Sequence, residues 1–281
     1  MIGTDFETFM RIGNDYIPVP PNINIGHKGG KQVVLEGGTM HRDNVMVELC
    51  PDPVPTCGLM PERVNYLVQQ TEEYLSKLMG ETIRLGFEPT VRFDMSDLNS
   101  PYAQEIGCDP DFQAHQGRGV KRGRITAEGL ADIRCAGGHI HMSYNSSFLE
   151  PMTIHLADLA MGTLDALMGT QGRRREFYGQ PGLYRPKNYG GGEHIRGVEY
   201  RTPSTRWLSS DLNMLKMARH AFNVEHMVRH EPTEKLLTFI KNHWPALIAQ
   251  GTLMNENAEE CTQFLRACRA DFPDYDWYIG A

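Results

Sequence analysis

Apolar and polar residues alternate over several short stretches of this chain and follow a helical period over others. Residues 2–10 and 44–50 read as strands, separated by a Gly/Pro/Asn-rich section from Pro18 to Gly38 that reads as loops and hairpin turns. From Pro61 onward, Val64, Leu67, Val68, Thr71, Leu75 and Leu78 share one face while Glu62, Glu72 and Lys77 lie elsewhere, which predicts a helix. Residues 89–95 predict another strand, followed by a Gly/Pro/Asp-rich loop. CAGGHIHMS at 135–143 reads as a strand entered through glycines, and residues 152–168 as an apolar helix. An arginine cluster and a glycine-rich loop through Gly192 come next, then a last strand in HIRGVEYRT. From Asp211 the pattern is helical, in three pieces broken near Pro232 and Gly251. No internal repeat or linker divides the chain. The expectation is a single α+β domain over 1–281: a mainly antiparallel sheet with covering helices in 1–208 and a helical part in 209–281.

Composition narrows the function. The 281 residues are 40% hydrophobic and 22% charged, which supports a sizeable core. A formal charge of −7 argues against sequence-independent binding to nucleic acid. Two basic clusters, Arg118–Arg124 and Arg173–Arg175, stand against that acidic background and fit a small anionic ligand better than a polymer. Cysteines 50, 57, 108, 135, 261 and 268 form no CxxC pair, so a reduced compartment is expected, with Cys261 and Cys268 as core residues of one helix. MIGTDFETFM lacks the features of a signal peptide, and no apolar run reaches membrane-spanning length. The expected location is the cytoplasm, with no membrane partner.

The candidate chemistry lies at strand positions two apart, which point to one face. Asp5 and Glu7, His139 and His141, and Glu199 and Arg201 are three such pairs, and Glu48 ends a fourth strand, with apolar or aromatic residues between. Several carboxylates on one face need counter-charge, and an oxygen-rich set with one or two imidazoles suits Mg²⁺ or Mn²⁺. Solvated strand surfaces show the same alternation, so the metal reading and the bland one stand side by side on this pattern alone. In GRRREFYGQPGLYRPKNYGGG, Arg173, Arg174, Arg175, Arg185 and Lys187 lie among glycines and tyrosines, a composition that fits either a phosphate site or an exposed basic turn. GHKGGKQ at 26–32 lacks P-loop spacing, and no GxGxxG, GxSxG or HExxH occurs. His226 and His230 lie one helical turn apart, with a solvated helix face as the expected reading.

These blocks resemble the phage-type carboxylate–amine (COOH–NH2) ligases, whose fold is that of the glutamine synthetase and glutamate–cysteine ligase superfamily. The likeness runs from GTDFE to EYRTPSTRWL, about three quarters of the chain. It is carried by DNVMVEL, SPYAQEIGCDPDF, AGGHIHMS and RRREFYGQPGLYRPKNYG leading to GVEYRTPS, in the family's order. The resemblance implies a curved antiparallel sheet, ATP as cosubstrate and a divalent metal held by Asp5, Glu7, Glu48, His139 and Glu199. It implies a phosphate-facing His141, Arg201 directed at the transferring phosphoryl group, and Arg174, Arg175 and Arg185 in a phosphate-contacting region. Larger members carry a further acidic ligand before the position of Glu48. Here that stretch is GGTMHRDN, leaving His41 or Asp43 to serve and the number of metal ions open.

The implied reaction joins a small-molecule or peptide carboxylate to an amine through an acyl phosphate, in the host cytoplasm if the chain is phage-encoded. Three alternatives stand beside it: phosphoryl transfer to a nitrogen acceptor on the same fold, a zinc hydrolase built on His139 and His141, and a non-enzymatic phage structural protein. The identity of the substrates and the oligomeric state are left open by the sequence.

Overall fold

The computed structural model describes residues 1–27, 29–104, 112–116, 132–144, 150–169, 173–189 and 196–279. The chain opens with β1 (Gly3–Ile12), β2 (Asp15–Ile17), β3 (Val33–Leu35), β4 (Gly38–Asp43) and β5 (Met46–Pro51), then α1 (Met60–Met79). Next come β6 (Ile83–Gly86), β7 (Thr90–Arg92), α2 (Pro101–Gln104), β8 (Phe112–Gln113), β9 (Ile133–Cys135) and β10 (Gly138–Tyr144). A continuous helical run follows, from α3 (Glu150–Ala157) through a π-helical turn (Asp158–Gly162) into α4 (Thr163–Leu167). After it lie α5 (Arg174–Phe177), β11 (Leu183–Asn188) and β12 (Arg196–Tyr200). The chain ends in α6 (Asp211–His230), α7 (Thr233–Ala249), α8 (Thr252–Asn255) and α9 (Ala258–Asp271). The basic segment Arg118–Arg124 and the side chain of Cys108 lie outside the described residues.

Among the described residues, ten strands form one antiparallel sheet in the order β3-β4-β5-β1-β10-β12-β11-β8, with β2 and β6 pairing the far half of β1. A separate ribbon joins β7 and β9. The α+β expectation is met: the described strands all precede residue 209 and the remainder is helical.

One face of the sheet is apolar. Phe6, Leu49, Ile140, Met142, Val198, Tyr200 and Tyr184 pack in a single buried cluster with residues of α1, α3, α6, α7 and α9. Burial of that area supplies the main stabilising term, at roughly 25 cal/mol per Å² of apolar surface. In α1 the buried positions are Met60, Val64, Leu67, Thr71 and Leu75, spaced three and four apart as the period required; Leu78, expected on the same face, is exposed. Gly80 ends the helix in the left-handed region. On the opposite face a smaller cluster of Phe9, Val45, Met46, Val91, Phe93 and Leu98 closes one end. The rest of that face is charged.

Among the elements that differ from the sequence reading, such as β4 and β6, two bear most on the site. Residues 183–188, expected as loop, form β11. Pro186 and the flanking glycines mask it, and the proline is tolerated because β8 pairs only with Leu183 and Tyr184, so β11 is an edge beyond them among the described residues. The helix expected at 152–168 carries the π turn, whose first residue, Asp158, is fully buried. It accepts hydrogen bonds from the Tyr200 hydroxyl (2.8 Å), the Gly182 N–H (3.1 Å) and Trp244 Nε1 (3.0 Å), tying helix to sheet. No described helix is long and apolar enough to cross a membrane. His226 and His230 are exposed on α6, and Cys261 and Cys268 are buried in α9, both as expected.

Burial raises the Asp158 carboxyl to about 6, against the three hydrogen bonds that lower it. A raised carboxyl binds its proton more tightly folded than unfolded, so its contribution is full below the ordinary carboxylate pKa and is lost as pH rises through 6. The stability of the wild type relative to Asp158→Asn should therefore fall by up to about 3 kcal/mol between pH 4 and pH 7. Urea denaturation at both pH values checks this; a difference independent of pH contradicts it.

Candidate metal and phosphate site

Register brings the predicted pairs onto the charged face. Residues directly opposite across neighbouring strands share a side of the sheet. His41 lies opposite Glu48 and Glu48 opposite Glu7. Asp5 lies opposite His139, His141 opposite Glu199, and Glu199 opposite Arg185. Asp5, Glu7, Glu48, His139, Glu199 and Arg201 are all buried.

Charge is distributed unevenly along this face. On β4, β5 and β1 this face carries Asp43, Glu48, Glu7 and Asp5, with Arg11 at the far end of β1 and His41 Nε2 3.0 Å from Glu48 Oε2. On β12 and β11 three permanent cations surround one carboxylate. Arg201 Nη1 donates to Glu199 Oε1, Lys187 Nζ lies 2.5 Å from Glu199 Oε2, and Arg185 Nη1 lies 3.4 Å from both oxygens. Burial raises the Glu199 carboxyl, but Arg201 above all outweighs this and holds it well below the usual range. The Arg185 and Lys187 side chains are 14% and 28% exposed and reach solvent; Arg201 is fully enclosed.

The two histidines stand in different surroundings. His139 Nδ1 is 2.9 Å from Asp5 Oδ1 and its Nε2 is 2.7 Å from the Tyr178 hydroxyl. Burial, then Arg201, lowers its pKa against the opposing pull of Asp5 and Glu199. His141 Nε2 is 3.2 Å from Asp5 Oδ2, and Asp5 and Glu199 raise its pKa in spite of burial. Asp5 is held well below the usual range because His141 and His139 outweigh its burial. Ligand atoms of Asp5, His141 and Glu199 all lie within 4.8 Å of one another, the one such group among the described residues. Two carboxylates and an imidazole at that spacing fit a Mg²⁺- or Mn²⁺-sized cation.

This arrangement redistributes several sequence assignments. His141, expected at phosphate, supplies the imidazole of the three-residue group; His139, expected on metal, has both ring nitrogens engaged by Asp5 and Tyr178. Glu7 Oε2 accepts the Gly137 N–H (2.6 Å), which anchors the entry to β10, and Glu7 and Glu48 lie beside the group without joining it. A Cβ on Gly137 would sit 2.3 Å from His139 Nε2, which explains the glycine before the HIH strand. Arg174 and Arg175, expected at phosphate, are buried elsewhere. Arg174 donates to the carbonyls of Ala136 (2.8 Å), Thr202 (2.8 Å) and Pro203 (2.7 Å); Arg175 donates to Asp165 (2.9 Å) and Gly179 O (3.1 Å). Arg174 thus engages each of its three nitrogens with a backbone carbonyl and acts as a clamp on backbone, while Arg175 pairs with a buried carboxylate. Arg185 and Lys187 do line the face. Tyr178, to which the sequence reading gave no role, stands between His139 and Arg201; a lone aromatic after a one-turn helix carries no periodic signal.

Neither a protein-family model nor a curated protein matches the chain, so the ligase resemblance rests on its motifs.

Mn²⁺ affinity, read from the free-ion electron paramagnetic resonance signal, should fall in Asp5→Asn and His141→Ala by more than the roughly 10–100-fold typical of losing an outer partner. Wild-type affinity in His141→Ala would remove that residue from the site.

Proposed function

We propose that the chain is an ATP-dependent carboxylate–amine ligase with the glutamine synthetase-like fold, acting in the cytoplasm on small-molecule or peptide substrates. The observation that carries this reading is the charge gradient across one sheet face: carboxylates on β4, β5 and β1, and solvent-reaching Arg185 and Lys187 on β11. Such a surface suits a metal–phosphate pair, with the cation toward the acids and the phosphoryl oxygens toward the bases. The order of the motifs along the chain supports the same assignment.

A carboxylate resists amines because oxide is a poor leaving group. Transfer of the γ-phosphoryl group of ATP to the carboxylate gives an acyl phosphate and ADP. Attack by the amine nitrogen then forms the C–N bond, expels inorganic phosphate and releases a proton. Asp5, His141 and Glu199 would hold the divalent cation, which when bound would supply charge neutralisation for the phosphates. Arg185 and Lys187 hold the phosphoryl oxygens as charge moves onto them, and the guanidinium of Arg185 offers a planar pair of donors. Arg201, enclosed beneath Glu199, serves as that carboxylate's fixed counter-charge, a change from the phosphoryl contact that the resemblance implies.

The test is ADP release in the presence of Mg²⁺ and pooled carboxylates and amines, with the product identified by mass spectrometry. Stoichiometric amide, ADP and phosphate are expected. A phosphorylated nitrogen acceptor without amide, or hydrolysis without ATP, would replace the ligase reading. In Arg185→Ala, turnover should drop by about 10²–10³, by analogy with the loss of one transition-state donor. Its Mn²⁺ affinity should be unchanged or tighter, because Glu199 loses a competitor; a loss of Mn²⁺ binding would place Arg185 in the metal site.

A further inference from the structure

The bonds around His139 form a chain with one direction. Arg201 Nη2 donates to the Tyr178 hydroxyl oxygen, the Tyr178 hydroxyl lies 2.7 Å from His139 Nε2, and His139 Nδ1 lies 2.9 Å from Asp5 Oδ1. Arginine is a donor only and an ionised carboxylate an acceptor only. With the ends of the chain so fixed, the phenolic proton points to Nε2 and the ring proton sits on Nδ1, facing Asp5. The other Asp5 oxygen, Oδ2, is the one beside His141.

We infer that Tyr178 is a positioning residue: its hydroxyl sets the His139 tautomer, and through it which Asp5 oxygen is turned toward the cation. Outer partners of this kind orient ligands in metal sites generally, and their removal weakens metal affinity about 10–100-fold. The inference rests on the cation reading of Asp5, His141 and Glu199, and it adds a residue that touches none of the ligand atoms of that group.

The surroundings hold the tyrosine in place independently of its hydroxyl. Its backbone N–H donates to Arg174 O (2.6 Å), closing the single turn of α5. The guanidinium groups of Arg174 and Arg201 lie over its ring, 5.1 and 5.2 Å from the centroid. Gly179 follows with φ +68, and a Cβ there would lie 1.9 Å from Arg174 Nη1, so the turn that presents Tyr178 requires glycine. Arg174 thus bonds the carbonyls flanking β10 and Arg201 while covering the tyrosine between them. A phenylalanine at 178 keeps the ring, its cation contacts and the backbone bond, and deletes only the hydroxyl.

The experiment uses the full chain, with Mn²⁺ as the probe. Tyr178→Phe should keep its circular dichroism and raise the Mn²⁺ dissociation constant about 10–100-fold. Long-range ¹H–¹⁵N spectra of the metal-free protein should show His139 protonated at Nδ1 in the wild type and redistributed between its nitrogens in Tyr178→Phe, a change that loss of stability alone does not produce. His139→Asn, whose amide N–H can replace Nδ1–H toward Asp5, supplies the second arm: in that background Tyr178→Phe should have no further effect on Mn²⁺ affinity. Additive losses, or a His139 tautomer that survives in Tyr178→Phe, overturn the inference while leaving the metal reading intact. A wild type that binds no Mn²⁺ overturns both.

Discussion

A carboxylate with no access to water lies at the centre of this molecule, and the surrounding charges are arranged about it. Glu199 is fully buried near the end of β12. Burying an unpaired carboxylate costs several kcal/mol, so a charged Glu199 requires partners at hydrogen-bonding range. Arg201 supplies the enclosed one, and Lys187 and Arg185 reach it from the next strand. Because Arg185 and His141 lie directly opposite Glu199 in register, a shift of one residue in either pairing would turn these side chains into the apolar core. The hydrophobic face and the charged face therefore enforce the same alignment.

The two ends of this face differ in the sign of the charge they carry. Three cations meet Glu199 at β11 and β12, while Glu48 and Asp5 lie beside imidazoles and Glu7 accepts a backbone N–H. A stable surface needing only internal compensation would intermix the signs. Segregated signs on one rigid sheet instead present complementary fields to a ligand of mixed charge, and fields of this kind are strongest where water is excluded. The solid apolar packing behind the sheet keeps those side chains in place, so the functional reading depends on the helices without any helix contributing a ligand to the three-residue group.

Much of this face was legible in the sequence, because a strand's two-residue period sorts side chains without reference to partners. Asp5 with Glu7, His139 with His141, and Glu199 with Arg201 could each be assigned a common side from local alternation alone. Which pair meets which could not, since register is a long-range property: the separation of His139 from His141 in role follows from Asp5 and Glu199 standing opposite different histidines. Arg174 and Arg185 look alike in a basic, glycine-rich segment, yet one clamps three carbonyls in the interior and the other faces solvent. That difference arises from β11, whose strand pattern Pro186 obscures. Tyr178 acts through the direction of hydrogen bonds formed by residues far apart in the chain, for which a linear pattern has no mark.

If the acidic and basic ends of this face serve one ligand, a metal–phosphate pair, nucleotide binding depends on the cation. Calorimetric titration of ADP into the full chain, once with a chelator present and once with Mg²⁺, tests it most directly. Weak or undetectable binding is expected with the chelator and at least about 10-fold tighter binding with Mg²⁺, within the usual range of coupling between two ligands. Equal affinity under both conditions, or no binding with Mg²⁺ present, would contradict it.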